Sequence, residues 1–394
     1  MGPLYDTTPQ GLPIREYLLV ALTAAAVTYL STSLVRLFAF RAGAVANPRA
    51  RDVHKIPTAR MGGLAMYFGV LGGMLLAHQL PVLRRAFETS LDPLAVLLGG
   101  ALIVLVGALD DRFELDSLTK MAGQTTAAGL LVLLGLQWVV FWVPWGGQGG
   151  FNGSVLVLDQ NQGGLLTVLL VVTMVNAMNF VDGLDGLAAG IGLIAALATC
   201  AFSLGLLHSS GGNVDTYPPL LIGAALAGAC LGFLPHNFAP ARIFMGDSGS
   251  MLIGLMLAAA STSASGKFNF AQVAATDHPI GPKVTLALLS PLLVMLAVLF
   301  VPLLDLLLAV ARRLPRGLSL AHADKMHLHH RMLDIGHSTR RAVLLIYLWA
   351  AVIAFGAVAL TLVNAVVVVW VIAAGLLVAL LVTAVPRLRE IRGR

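Results

Sequence analysis

Long apolar runs broken by short polar stretches make up the chain, and the length of each run limits what it can be. About 20 apolar residues are needed to cross the hydrocarbon core of a bilayer as a helix. Eleven runs approach or reach that length: about 17–40, 61–80, 93–109, 121–143, 163–181, 187–207, 218–234, 250–265, 284–311, 342–362 and 364–385. The polar alternation of a membrane barrel is missing, and helices satisfy their own backbone groups in lipid. The pattern predicts an all-α, polytopic integral membrane protein of about 11 transmembrane helices, with no separate soluble domain.

Composition agrees: 58% of residues are hydrophobic and 11% charged, against roughly 45–50% and about 25% in soluble domains. This excludes a water-soluble globular enzyme. The net charge of +6 would suggest nucleic acid in a soluble protein, but here the basic residues are sorted by side. All but Arg15, Arg84, Arg85, Lys267 and Lys283 of the 25 Lys and Arg residues fall on one side of the expected membrane. The positive-inside bias makes that side cytoplasmic, with the N-terminus outside and the C-terminus cytoplasmic, and no nucleic-acid partner is implied. The first run is too long for a signal-peptide core and reads as a retained span. Cys200 and Cys230 sit in apolar runs without metal-ligand spacing and read as packing residues.

Nearly every polar cluster falls on the same side as the basic residues, although hydropathy alone placed the runs. After the third run comes Gly107-Ala-Leu-Asp110-Asp111-Arg-Phe-Glu-Leu115-Asp-Ser-Leu-Thr-Lys120. Adjacent carboxylates at a membrane rim repel unless a cation sits between them or one keeps its proton. Mg²⁺ suits them, because it takes oxygen ligands and keeps places for phosphate oxygens; a solvated acidic loop is the alternative. The fifth run ends in Asn176-Ala-Met-Asn179-Phe-Val-Asp182-Gly183-Leu-Asp185-Gly186. Spacing by three puts its polar groups on neighbouring positions of a helical turn. Beside lipid they require a ligand, a metal or a buried partner; hydrogen bonding between helices is the other reading.

Gly246-Asp247-Ser248-Gly249-Ser250 leads into the eighth run. N–H groups exposed at a new helix start favour an anion, and Asp247 is placed to hold a metal against it; a Gly and Ser turn with a capping Asp is the plain alternative. The longest inner loop carries His327-Leu-His329-His330-Arg331. It lacks a thiolate and any common zinc spacing, so substrate phosphate is the favoured ligand over a metal or plain solvation. The first inner loop carries His54 and Arg60, which suit either a substrate or anionic headgroups.

In this order, the five clusters resemble those of the polyprenyl-phosphate N-acetylhexosamine-1-phosphate transferase superfamily, glycosyltransferase family 4. The Asp110-Asp111 to Lys120 cluster, the Asn176 to Gly190 stretch and the Gly246 to Ser250 turn match its signatures, and the likeness runs from about Arg51 to Ser338. His327-Leu-His329-His330 is similar to the branch that transfers N-acetylglucosamine 1-phosphate. Gly228 to Asn237 and Ser250 to Ala260 look like the actinobacterial type that primes the arabinogalactan linker of the cell wall. Ala59 departs from the Pro often found before the Arg of the first loop.

The resemblance implies a single transmembrane transferase domain over 1–394, with catalytic cytoplasmic loops at about 41–60, 110–120, 182–186, 235–249 and 312–341. It implies a plasma-membrane enzyme in which a polyprenyl phosphate attacks the β-phosphorus of a UDP-sugar, giving polyprenyl-pyrophosphoryl-sugar and UMP. Mg²⁺, or Mn²⁺ in its place, would be the cofactor. Asp247 is the first expected metal ligand, with Asp110 or Asp111 as a second contact or as base. Asn176, Asn179 and Asp182 would orient metal and phosphates, and Asp185 would contact uridine. His327, His329, His330 and Arg331 would hold the donor, with His54, Arg60 and Lys120 as weaker substrate contacts. The partners are then a UDP-sugar, a polyprenyl phosphate and membrane lipid, and a homodimer stays open. A secondary transporter would need polar breaks near midplane and an internal repeat. An intramembrane prenyltransferase would leave the histidine loop and the Gly246 turn unexplained.

Overall fold

The computed structural model describes residues 12–46, 57–146, 153–266, 338–363 and 365–392, with a few single positions between 293 and 304. The elements are α1 (Ile14–Ala42), β1 (Val45–Ala46), β2 (Thr58–Ala59), α2 (Gly62–Gln79), α3 (Arg85–Thr89), α4 (Asp92–Phe113), α5 (Ser117–Leu133), β3 (Val140–Gly146), β4 (Gly153–Val157), α6 (Gln160–Val181), α7 (Leu187–Ser209), α8 (Tyr217–Asn237), α9 (Gly246–Ser265), α10 (Thr339–Leu362) and α11 (Ala365–Arg392). Seven of these helices (α1, α4, α6, α7, α8, α10 and α11) are long and apolar enough to cross a membrane. The chain is therefore a helical multi-pass membrane protein. The ninth apolar run, 284–311, lies outside the described residues apart from the single positions.

The fourth run, 121–143, is not one helix as its hydropathy implied. α5 stops at Leu133, and Gly135 takes a left-handed φ of 89°. The run then continues as the antiparallel β3–β4 hairpin, with Val140 opposite Val157 and Gly146 opposite Gly153. Val, Phe and Trp favour a strand, and a hydropathy window scores apolar strand and apolar helix alike.

The centre of the molecule is α8 and α9. In an 18-residue stretch of Val214–Asn237, 89% of the residues are buried, against 11% in Val366–Thr383, and every residue of α9 from Ser248 to Ser265 is buried. α1, α2 and α7 surround α8, α4 and α6 flank α9, and α10 packs on α7 and carries α11 at the periphery. The outward Val, Leu and Trp side chains of α11 suit lipid, which is as apolar as they are. Small residues bring the site together. A Cβ on Gly63 would lie 2.2 Å from Gly249 N, and one on Gly107 would lie 2.4 Å from Ser248 Cα. α2 and α4 thus press directly on the start of α9.

Candidate active site

Five helix ends converge on one rim: the ends of α4 and α6 and the starts of α5, α7 and α9. Asp110 and Asp111 occupy the last turn of α4, where successive residues point about 100° apart, and this divides their work. Asp110 Oδ2 meets Lys120 Nζ at 2.6 Å, while its Oδ1 accepts from Leu115 N–H at 2.8 Å. Asp111 turns toward α9. Its Oδ1 accepts from Asp247 N–H at 3.0 Å, and its Oδ2 accepts from Ser248 Oγ–H at 2.8 Å and Ser248 N–H at 3.3 Å. A carboxylate against free N–H groups at a helix start is favourable in charge and in hydrogen bonding.

Lys120 stands one turn into α5, whose Leu118 and Thr119 N–H groups are capped by Asp116, each at 2.9 Å. A bond from the Thr119 hydroxyl at 2.6 Å, followed by these N–H bonds, holds the exposed Asp116 carboxyl below its usual range. The Lys120 ammonium is shared, with a second bond to Asp247 Oδ2 at 3.0 Å. Asp110 and the Asn179 amide also stand close enough to act on the Asp247 carboxyl. Two facing carboxylates therefore already hold one cation between them.

Asn176 follows one turn before Asn179 on α6. Its Nδ2 donates to Val172 O at 2.8 Å and to Gln124 Oε1 at 2.7 Å. Between α5 and α6 opens a cavity of about 240 Å³, lined by Ser117, Lys120, Gln124, Asn176, Asn179 and Phe180 among others. Past α6, Asp182 lies in the turn before α7. Burial pushes its carboxyl up to about 7, reinforced by the charges of Asp247, Asp111 and Asp185 and opposed by Arg60.

That turn is tied down from two sides. Asp185 Oδ2 accepts from Ala241 N–H at 2.9 Å, and Asn237 Oδ1 accepts from Gly186 N–H at 3.1 Å. From α10, the Tyr347 hydroxyl donates to Gly186 O, and Arg340 Nε–H donates to Ala239 O at 3.0 Å. Arg60 arrives on a segment bridged in parallel to the loop before α9: Phe244 N–H donates to Ala59 O at 2.8 Å, and Gly62 N–H donates to Phe244 O at 3.1 Å.

Of the residues expected from sequence, Asp110, Asp111, Lys120, Asn179 and Asp247 meet, Asn176 adjoins them, and Asp182 and Arg60 interact with them through charge. One oxygen of Asp185 is engaged by the loop backbone. His54, His327, His329, His330 and Arg331 lie outside the described residues. Gln124, Ser248, Asn237 and Tyr347 were not expected. Gln124 had a signal, because Ser117, Lys120 and Gln124 repeat at helical spacing beside an apolar run; nothing in the sequence marks Tyr347.

Among the described residues no three His, Cys, Asp or Glu side chains form a metal-ligand group. The donor set still fits Mg²⁺, which commonly uses one or two carboxylates and takes its other oxygens from water and substrate phosphate. Asp110 and Asp247 supply hard oxygens on either side of one cation position, whereas both oxygens of Asp111 are engaged by α9.

Residues 93–265, which hold all of these carboxylates, match the model of glycosyl transferase family 4. The chain is 59% identical over 347 residues to the decaprenyl-phosphate N-acetylglucosaminephosphotransferase of Mycobacterium tuberculosis, covering 88% of this chain and 83% of the relative. It is 56% identical over 383 residues to the protein of that name from Mycolicibacterium smegmatis, covering 97% and 91%. A probable undecaprenyl-phosphate N-acetylglucosaminyl 1-phosphate transferase of Bacillus subtilis is 33% identical over 329 residues, covering 84% and 80%. With its helix ends gathered around these carboxylates and relatives of this identity along most of its length, the chain belongs to glycosyl transferase family 4.

Proposed function

We propose that the protein transfers N-acetylglucosamine 1-phosphate from UDP-N-acetylglucosamine to a polyprenyl phosphate, giving polyprenyl-pyrophosphoryl-N-acetylglucosamine and UMP. The observation that carries this reading is the Asp110–Lys120–Asp247 array at the rim of a membrane-spanning bundle, in a chain whose relatives are named as decaprenyl-phosphate N-acetylglucosaminephosphotransferases. A lipid phosphate reaches such a rim with its tail in the bilayer, while a nucleotide sugar arrives from water. The reaction forms a bond from a lipid phosphate oxygen to the β-phosphorus and breaks the bond from that phosphorus to the oxygen that leaves with UMP.

In this reading the chain works mainly by positioning and by charge. Asp247 and Asp110 would hold Mg²⁺, or Mn²⁺ in its place, whose contribution is to neutralise the pyrophosphate. Lys120 meets phosphate oxygens. Asn179 fixes the Asp247 carboxylate, and Asn176 and Asp182 border the phosphates. Asp111 acts through α9, whose first turn it holds in place. His327, His329, His330 and Arg331, with His54 and Arg60, hold the donor, and Asp185 borders the uridine. An exposed lipid phosphate is already anionic, so direct displacement needs no covalent aspartyl intermediate. The reading includes eleven passes of the plasma membrane, the N-terminus outside, and the catalytic loops with the C-terminus in the cytoplasm.

The test incubates the purified protein with Mg²⁺, undecaprenyl phosphate and UDP-N-acetylglucosamine. UMP and a lipid-linked sugar are expected, both lost with chelator. Release of UDP in place of UMP, or product from an Asp110→Asn, Asp247→Ala double variant, would overturn the proposal.

A further inference from the structure

We infer that Gln124 is a substrate-binding residue, whose Nε2 amide donates to a phosphate oxygen in the cavity between α5 and α6. The inference rests on the transferase reading above. It starts from a backbone carbonyl. Val172 O, one turn back on α6, only accepts, so the Asn176 atom facing it at 2.8 Å must be the amide nitrogen. That nitrogen also faces Gln124 at 2.7 Å, so Gln124 must present its oxygen to it. The orientation of both amides is therefore fixed by hydrogen bonding and is not an arbitrary choice between O and N.

With its oxygen committed to Asn176, Gln124 has both N–H bonds of Nε2 left to place. Among the described residues neither they nor Asn176 Oδ1 has a protein partner, and the fully buried unpartnered side-chain atoms there belong to Thr28, Ser203 and Thr262 alone. Gln124 is only 2% exposed. The open space that its amide borders is the cavity of about 240 Å³ that it lines with Asn176, Asn179 and Lys120. An amide so enclosed gains most from a ligand that accepts hydrogen bonds. The Lys120 ammonium, four residues earlier on the same helix, makes an anionic oxygen the matching ligand. That oxygen belongs either to the lipid phosphate or to the pyrophosphate of the nucleotide sugar.

Two variants separate binding from packing. Gln124→Glu keeps an oxygen for Asn176 Nδ2 but replaces the cavity-facing donor with an acceptor, and Gln124→Met removes both. Binding predicts that each raises a KM by roughly tenfold or more, the loss expected for a hydrogen bond to a charged group. A rise for undecaprenyl phosphate assigns the oxygen to the acceptor, and a rise for UDP-N-acetylglucosamine assigns it to the donor. A Gln124→Glu enzyme that melts as the wild type does, with both KM values unchanged, would reduce Gln124 to a packing residue and overturn the proposal.

Melting temperatures measured with each substrate alone need no turnover. Loss in Gln124→Glu of a wild-type stabilisation by either compound supports the assignment, even where the wild type proves inactive and the transferase reading fails. Full stabilisation of Gln124→Glu by both, or of the wild type by neither, refutes it.

Discussion

The carboxylates of this site are neighbours in sequence but not in task. Asp110 faces Lys120 and the cavity side, whereas Asp111 caps α9; one step of helical rotation divides them. A linear motif shows that two carboxylates are present and that lipid will not tolerate them alone, which is why the cluster was legible. It does not show which oxygens are already occupied, because the partners of Asp111 lie 136 and 137 residues away. Asp182 carries a prediction of its own. Its folded-state pKa, near 7, stands above the ordinary 3.8 through burial first and the charges of Asp247, Asp111 and Asp185 next. Between those values the folded protein binds a proton that the unfolded chain releases, so stability falls as pH rises from about 4 to about 7 and levels off above. The slope is at most about 1.4 kcal/mol per pH unit. Melting curves of the protein in detergent with chelator, taken across that window, should show this decline, and Asp182→Asn should make it shallower. Equal slopes for variant and wild type would mean that Asp182 is ionised throughout.

At the scale of elements, the site depends on how closely helices approach. Gly107 lets α4 lie against the first turn of α9, where an added Cβ would sit 2.4 Å from both Cα and N of Ser248. Gly107→Ala must therefore push α4 from α9 and pull Asp111 off Asp247 N–H and Ser248. Overpacking of this kind costs about 1–3 kcal/mol, with activity falling further than stability because the array itself is displaced. Gly129, within α5, has nothing within 4 Å of an added Cβ; Gly129→Ala should be neutral or stabilise by up to about 1 kcal/mol. Thermal melting and turnover measured side by side would check the contrast, and two variants of similar behaviour would count against close packing at Gly107. The helices themselves were readable because lipid demands long apolar runs. The break in the fourth run was not, since Gly135 and the strand-forming Val140 to Val143 keep the hydropathy high while changing the backbone. The clamp from α10 through Tyr347 and Arg340 was equally hidden, because a Tyr in an apolar run looks like any other lipid-facing or core residue.

The whole molecule turns on sidedness. Direct contacts join the end of α4 to the starts of α5 and α9, and the turn after α6 to the loop after α8, so these segments share one membrane face whichever face that is. In the proposed orientation this face is the cytoplasmic one, as the positive-inside bias of the Lys and Arg residues predicts. α7 supplies a ruler, because its 23 residues rise about 34 Å from the turn at Asp185 to Ser209, enough to cross the hydrocarbon core. Ser117 and Ser209 are both exposed, at the start of α5 and the far end of α7, and serine to cysteine changes one atom. The native thiols do not compete strongly, since Cys230 is buried and Cys200 partly so. Intact cells treated with a membrane-impermeant maleimide should therefore label Ser209→Cys and spare Ser117→Cys, and inverted vesicles should reverse the result. Labelling of Ser117→Cys from outside would place the carboxylates across the membrane from the nucleotide pool. The proposed donor would then have no route to the array, however well the array fits it.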